Sequence, residues 1–127
     1  MNTIKSIKLN NQFTVNGSIS TSEKGSNVNA SIVASGNNLG IGQRWNWTMK
    51  LQRKTKGKWK TIGTRTGYVM KGSPSHRTFT NVKKNKSKMR VSIKFTPFFL
   101  AMDSVTYKKY WRQGAKVFTR NSKTWVR

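Results

Sequence analysis

A strict alternation of apolar and polar side chains is the feature that most limits how this chain can fold. It runs through residues 44–52, where the two sets are Trp45, Trp47, Met49 and Leu51 against Asn46, Thr48, Lys50 and Gln52. Because successive side chains of a strand point to opposite faces, this stretch predicts a central strand with one buried face. Residues 54–57 then predict a short turn, since Gly57 can adopt positive φ, and the chain returns from Lys58 to complete a hairpin.

The returning strand of this hairpin alternates irregularly. Trp59 and Ile62 have opposite parity, so they cannot both face the core of a regular strand. We expect a β-bulge that leaves Trp59 partly in the core. The alternative places Trp59 outside, among Lys58 and Lys60.

The same alternation predicts further strands at intervals of about ten residues. Apolar side chains at every second position mark them: Ile7 and Leu9; Phe13, Val15 and Ile19; Val28, Ala30, Ile32 and Ala34; Met89, Val91, Ile93 and Phe95. A short strand is also expected at residues 76–82, with turns at 21–27, 35–42 and 71–75. The chain is therefore predicted to be all-β, a single-domain antiparallel β-sandwich of about seven to nine short strands over residues 1–127, with a small β-barrel as the alternative.

Two expectations concern the strand that contains Met89. Pro97 is expected to end it, because proline cannot donate to a hydrogen-bond ladder. The apolar window FTPFFLAM, residues 95–102, is expected to be a loop or helical turn that closes one end of the core, with a membrane-dipping loop as the alternative. It is too short to cross a bilayer, and no transmembrane span is expected anywhere in the chain.

The charge balance points to a partner of opposite charge. Lysine and arginine together number 26, whereas Glu23 and Asp103 are the only acids, so the net charge is +24 with His76 neutral. With so few carboxylates to pair with, the cations are free for an external polyanion, although a merely soluble, highly charged surface would have the same composition. Because self-repulsion destabilises the fold, a bound anion should stabilise it by mass action.

The same scarcity of acids argues against enzymatic chemistry. A glycosidase needs two carboxylates flanking a bond, and a serine triad would need His76 beside Glu23 or Asp103. We therefore expect no catalytic residues, and we interpret His76 as a surface residue of a strand. The chain has no cysteine, so neither a disulfide nor a thiolate metal site is expected, and no metal or cofactor is predicted. The glycine-rich residues 35–42 lack the Lys-Ser/Thr ending of a phosphate loop.

Clusters of cations give the candidate polyanion-binding residues. Lysine dominates the first two clusters and acts as a point charge, which favours tolerant electrostatic binding over reading of base edges. Aromatic side chains lie among the cations and could stack on bases or sugars or contact lipid headgroups. The predicted polyanion-binding residues are Lys50, Arg53, Lys54, Lys56, Lys58, Lys60, Lys83, Lys84, Lys86, Lys88, Lys108, Lys109, Arg112, Lys116 and Arg120, and the predicted aromatic contacts are Trp59, Tyr110, Trp111 and Trp125.

Two segments together resemble a known kind of module. The hairpin WTMKLQRKTKGKWKTIGT followed by the strand SKMRVSIKF resembles immunoglobulin-like and fibronectin-type-III-like β-sandwich modules of bacterial surface and secreted proteins. The resemblance implies that the hairpin forms strands C and C′ and that the second segment forms strand F. Met89 stands where those modules commonly have a tyrosine, and they are usually acidic or neutral. The resemblance therefore predicts architecture and leaves function to the charges.

Three functions fit a cationic, tryptophan-bearing, cysteine-free β-protein. We expect first a secreted bacterial protein that binds anionic cell-envelope polymers or an anionic membrane surface and acts as an antimicrobial or bacteriocin-like protein. The alternatives are a cytoplasmic nucleic-acid-binding β-domain and a structural or adhesive surface module. Since the sequence as written begins without a signal peptide, a secreted chain would be the mature form.

Overall fold

The computed structural model describes residues 7–8, 14–35, 43–69, 74–113 and 117–127. These residues form strands and turns, with no helix among them, so the all-β prediction is confirmed. None of the described residues belongs to a helix that is long and apolar enough to cross a membrane. The strands are β1 (Ile7–Lys8), β2 (Thr14–Lys24), β3 (Asn27–Ser35), β4 (Gln43–Thr55), β5 (Lys58–Val69), β6 (Ser75–Phe79), β7 (Lys88–Met102), β8 (Lys109–Gln113), β9 (Phe118–Asn121) and β10 (Trp125–Val126).

The strands form two antiparallel sheets. One has four strands in the order β1-β2-β3-β6, and the other has six, with the order β10-β7-β4-β5 and with β8 and β9 also paired to β7. Strands β10, β9 and β8 follow one another along the same edge of β7, opposite residues 88–89, 92–95 and 98–102. In the described part of the chain the sheets remain separate, as the sandwich prediction requires, and the alternative of a small closed barrel is wrong.

One hydrophobic core lies between the two sheets and is made by alternate residues of their strands. Trp45 packs edge-to-face on Phe95 and on Phe118, with ring centroids 5.7 and 5.6 Å apart. Burial of each large apolar side chain stabilises the fold by about 1.5–3 kcal/mol. The buried apolar residues are Ile19, Val28, Ala30, Ile32, Trp45, Trp47, Met49, Leu51, Val69, Phe79, Val82, Met89, Val91, Ile93 and Phe95.

The β4–β5 hairpin confirms the predicted turn and bulge but corrects the position of Trp59. Lys56 and Gly57 form the turn, with φ values of 52° and 77°. The register shifts beside Leu51, so that Ile62 has no partner in β4. This extra residue changes the parity of β5 and places Trp59 opposite Lys54, on the outer face. The expectation that Trp59 lies partly in the core is therefore wrong.

Strand β7 also differs from its prediction. Pro97 does not end it, and residues 95–102 are strand rather than loop or helical turn. Pro97 pairs with Trp45 in β4, whereas on the opposite edge of β7 the pairing with β9 stops at Phe95 and that with β8 starts at Phe98. The proline thus stands where the ladder along that edge is interrupted, and a missing N–H is tolerated at such edge positions.

The smaller sheet follows its prediction with shifted boundaries. The predicted turn at residues 21–27 narrows to Gly25 and Ser26, because β2 continues to Lys24 and β3 begins at Asn27. The strand predicted at residues 76–82 ends at Phe79. Other predictions fall outside the described residues: the strand positions of Leu9 and Phe13, the loop at 36–42, and most of the turn at 71–75.

Candidate functional site

The cations are distributed unequally between the two sheets. The strands of the four-stranded sheet carry three of them, Lys8, Lys24 and Arg77. The strands of the six-stranded sheet carry thirteen: Arg44, Lys50, Arg53, Lys54, Lys58, Lys60, Arg65, Lys88, Arg90, Lys94, Lys109, Arg112 and Arg120. Any site for a polyanion is therefore to be sought on the six-stranded sheet.

The outer face of that sheet forms a continuous surface, which we call the platform. Strand β4 runs along the platform from Arg44 to Lys54, a distance of about 33 Å at the usual rise of a strand. No acidic side chain belongs to it. The strand register places the following residues on it: Arg44, Asn46, Thr48, Lys50, Gln52, Lys54, Trp59, Thr61, Thr64, Thr66, Tyr68, Lys88, Arg90, Ser92, Lys94, Thr96, Phe98, Leu100, Met102, Lys109, Trp111, Gln113, Thr119, Asn121 and Val126.

At one end of the platform a guanidinium group is held on a tryptophan ring. Arg90 lies 4.3 Å from the centroid of Trp59, and the ammonium of Lys54 lies 5.9 Å from it. Arg90 Nε donates a hydrogen bond of 2.8 Å to Gln52, whose amide nitrogen donates in turn to the Thr61 hydroxyl at 3.2 Å. This chain of hydrogen bonds crosses three adjacent strands, β7, β4 and β5, so Arg90 is fixed before any ligand binds.

At the other end a second guanidinium group lies between two rings. Arg44 is 4.5 Å from the centroid of Trp111 on β8 and 5.3 Å from that of Tyr68 on β5. Its Nε atom is buried and has no hydrogen-bond partner. Such contacts are worth about 0.5–1 kcal/mol where solvent reaches them. Each end of the platform therefore has an arginine whose guanidinium group is oriented by aromatic rings.

A groove of about 490 Å³ lies between Arg44 and the middle of the platform. Its floor is polar and spans three strands, because Asn46 stands beside Tyr68 and Thr96 in the register. The next row brings Thr48 beside Thr66 and Lys94. The groove therefore combines hydroxyl and amide groups with cations at its two ends.

The platform gathers only some of the predicted site residues. Lys50, Lys54, Lys88, Lys109, Trp59 and Trp111 belong to it. The predicted site omitted Arg44, Tyr68, Arg90 and Lys94, although the parity of the alternating strands places all four on the polar face. Parity in β4 and β7 was the signal that could have found Arg44, Arg90 and Lys94, whereas Tyr68 lies in β5, whose parity changes at the bulge.

The other predicted site residues lie elsewhere on the surface. Arg53, Lys58 and Lys60 face the opposite side of the hairpin, where Arg53 donates to the Lys83 carbonyl oxygen beside a cavity of about 280 Å³. Arg120 is partly buried, 5.1 Å from the centroid of Phe118. Exposed residues away from the platform are Lys56 in the turn, Lys83, Lys84 and Lys86 before β7, and Lys108, Tyr110 and Arg112 in or beside β8; Lys116 lies outside the described residues.

Trp125 and the two acids take part in the fold itself. Trp125 packs against the core, and its Nε1 donates to Glu23 at 2.6 Å. Glu23 also forms an ion pair of 3.3 Å with Arg127, whose side chain is buried. Asp103 accepts hydrogen bonds from the backbone N–H groups of Thr106 and Val105, which hold the pKa of its carboxyl below the usual value. Both carboxylates are thus engaged within the fold and away from the platform.

His76 is exposed on β6, as predicted, with its Nδ1 2.6 Å from the Ser31 hydroxyl oxygen. Within the described ranges, no group of three or more histidine, cysteine or acidic side chains could hold a metal ion.

No family model matches the chain, and no curated protein or solved structure shows significant similarity to it. The functional inference therefore depends on the platform itself.

Proposed function

We propose that this protein is a non-enzymatic binding protein that holds an extended anionic polymer along the platform. The observation that carries the proposal is the separation of charge between the sheets: cations and aromatic rings lie along one outer face, and both acids lie off it. A face of one sign raises the local concentration of a ligand of opposite sign and speeds its association. The chemistry of the ligand is that of repeated phosphate or carboxylate groups.

The spacing of the cations supports an extended rather than a compact ligand. On β4 the platform cations Arg44, Lys50 and Lys54 are about 20 Å and about 13 Å apart along the strand, so they span its whole length. Strand β7 adds Lys94 beside Thr48 and Arg90 beside Gln52, in the intervals between the cations of β4. A polymer with regularly spaced charges can contact both rows at once, whereas a single small anion would use only one position.

The aromatic rings support recognition of charge in preference to stacking on bases. Trp59 is covered by Arg90, and Arg44 lies between Tyr68 and Trp111. A ring that holds a guanidinium offers less of its face to a nucleobase. We therefore place an anionic polymer of the bacterial cell envelope first, which implies a secreted protein, and nucleic acid second.

The test compares two variants that lose the same charge from different places. The platform variant replaces Lys50, Lys54, Lys88 and Lys94 by Gln; the matched control replaces the exposed residues Lys83, Lys84, Lys86 and Lys123 by Gln. We expect the platform variant to bind teichoic acid at least about tenfold more weakly than the control, because each substituted platform lysine removes its own contact with a phosphate. Equal losses in the two variants would contradict the proposal.

Three further measurements decide among the partners. Dye release from anionic but not zwitterionic vesicles, together with killing of intact cells, would support an antimicrobial action on the envelope. A steep loss of DNA or RNA affinity with salt, about 0.9 log units per phosphate contact for each tenfold change, combined with tighter binding than to teichoic acid, would favour the nucleic-acid function. Co-assembly with an anionic polymer without killing would favour an adhesive surface module.

We also propose that the sandwich is of the immunoglobulin-like or fibronectin-type-III-like kind. If β4, β5 and β7 are strands C, C′ and F, the pairing order β5-β4-β7-β8 corresponds to C′-C-F-G. In such sandwiches C′ extends the sheet that contains G, F and C. An experimental structure that superposes β2, β3 and β6 on strands A, B and E of such modules would test the assignment.

A further inference from the structure

We infer that the groove between Arg44 and Lys94 is a subsite for a sugar unit that carries, or is joined to, an acidic group. The inference rests on the proposed function and narrows its ligand to an anionic glycopolymer. The inference follows from the residues that line the groove. A ligand that offers only charge could bind to the platform cations outside the groove, so the polar lining of the groove points to a ligand that also carries hydroxyl groups.

The floor of the groove is suited to hydroxyl groups. Asn46, Thr48, Thr66 and Thr96 line it, and the cross-strand register brings them together on three adjacent strands. Neighbouring strands lie about 4.8 Å apart, so polar groups recur across the floor at a spacing close to the width of a pyranose ring. Hydroxyl and amide side chains can both donate and accept hydrogen bonds, which matches the dual character of a sugar hydroxyl.

The walls of the groove add a ring and two cations. Tyr68, 55% exposed, stands at the side of the floor with Arg44 5.3 Å from its ring centroid, and its phenolic hydroxyl adds a group that can donate and accept hydrogen bonds. Arg44 and Lys94 lie two rows of the sheet apart, about 13 Å along the strands. Asn46 and Thr96 lie in the row between them. The buried Nε of Arg44 has no partner, and the guanidinium beside it is already oriented by two rings. An acidic group on the sugar would meet a positioned donor at that end.

Other anionic ligands match the lining of this groove less well than an anionic glycopolymer does. Inorganic polyphosphate has no hydroxyl-bearing ring for the threonine floor, and a bilayer surface would require apolar side chains where Asn46 and the threonines lie. The outer face of the four-stranded sheet also carries hydroxyl groups, for example at Ser20 and Ser31, but none of its central positions is a cation. The combination of both chemistries occurs in the groove.

The experiment separates the sugar from the charge. In the groove variant Thr48, Thr66 and Thr96 become Val, which keeps the β-branched shape and removes the hydroxyl group; the matched control changes Thr55, Thr80 and Thr124, which are exposed and lie off the platform, to Val. Affinities are measured by calorimetry for glycosylated teichoic acid, for inorganic polyphosphate and for neutral dextran. Far-UV circular dichroism of each variant shows whether it remains folded.

We expect the groove variant to lose about tenfold in affinity for the teichoic acid relative to the control, and to keep its polyphosphate affinity within about twofold. Dextran should bind at least about tenfold more weakly than the teichoic acid, because it has no acidic group for Arg44 or Lys94. Equal losses for both anionic polymers, or no loss for either, would overturn the subsite and leave the platform intact. If the unaltered protein binds neither polymer, the proposed function fails and the subsite fails with it.

Discussion

The two outer faces of the sandwich are built on the same strand pattern and differ in chemistry. The platform carries cations and aromatic rings. The central outward residues of the four-stranded sheet are neutral and mostly small: Ser18, Ser20, Ser22, Asn29, Ser31, Val33, His76 and Thr78. In both sheets the inward residues form the shared core. Fold and function are therefore encoded on alternate residues of the same strands, and either set can be altered without the other.

The largest expected effect tests whether the inner and outer residues are separable. Trp47→Ala removes a buried ring whose Nε1 donates to the Ser75 hydroxyl, and it should lower the free energy of unfolding by about 3–5 kcal/mol in urea denaturation. Trp59→Ala is the matched control, because its ring lies on the platform; we expect a loss of about 1 kcal/mol or less. Similar losses in the two variants would contradict the separation of core and platform.

A smaller effect is expected from moving charge between the faces. The platform variant, with Lys50, Lys54, Lys88 and Lys94 changed to Gln, is combined with Ser20→Lys, Ser22→Lys, Asn29→Lys and Thr78→Lys, which restores the original net charge on the opposite sheet. Affinity for teichoic acid should stay at least about tenfold below that of the unaltered protein, because the new cations cannot contact a polymer that lies along Arg44 and Arg90. Full recovery would show that net charge alone determines binding.

A still smaller effect on affinity is expected when the positive charge is kept and only the shape of the cationic group changes. Arg44→Lys keeps the positive charge but loses the planar group between Tyr68 and Trp111. We expect teichoic-acid affinity to fall about threefold, and stability to fall by about 0.5–1 kcal/mol. Arg112→Lys, an exposed change on β8, is the control and should leave the affinity unaltered. If the two variants bind alike, the rings do not orient Arg44 for binding.

The smallest effect concerns Asp103, which follows the end of β7. Backbone N–H groups of Thr106 and Val105 donate to the carboxylate of Asp103 and lower its pKa. The stability that the carboxylate gives to the turn is therefore fully present above the ordinary carboxyl pKa, and it is lost as the pH falls through the lowered pKa of the folded protein. Amide chemical shifts of these two residues, followed by NMR against pH, should change together below the usual carboxyl range. Asp103→Asn should abolish that transition and leave polymer affinity within about twofold. A titration in the usual range would contradict the account of this turn.

Much of the fold could be predicted because alternation is a local signal. The buried face of Trp45, Trp47, Met49 and Leu51 and the turn at Gly57 followed from spacing alone. The bulge was predicted, but its position at Ile62 was not. That position decides the parity of β5 and so puts Trp59 on the platform. Such a shift depends on pairing with β4, which the sequence of β5 alone does not specify.

Long-range pairing explains what could not be predicted. Residues 95–102 are apolar enough for a loop or plug, yet β4 and β8 pair with them and make them strand. Trp125 reaches Glu23 across the length of the chain, so its role in the fold has no local signature. The cation clusters were visible, but strand order decides which of them share a face: Lys94 stands beside Thr48, whereas Lys58 and Lys60 face the other side.

The most direct test of the platform uses the indole N–H signals of the five tryptophans. In an NMR titration with short-chain inorganic polyphosphate, the signals of Trp59 and Trp111 should shift, because both rings hold platform cations. The signals of Trp45, Trp47 and Trp125, which lie in or against the core, should remain in place. Shifts confined to Trp125, or no shift at Trp59 and Trp111 under saturating polymer, would contradict binding at the platform.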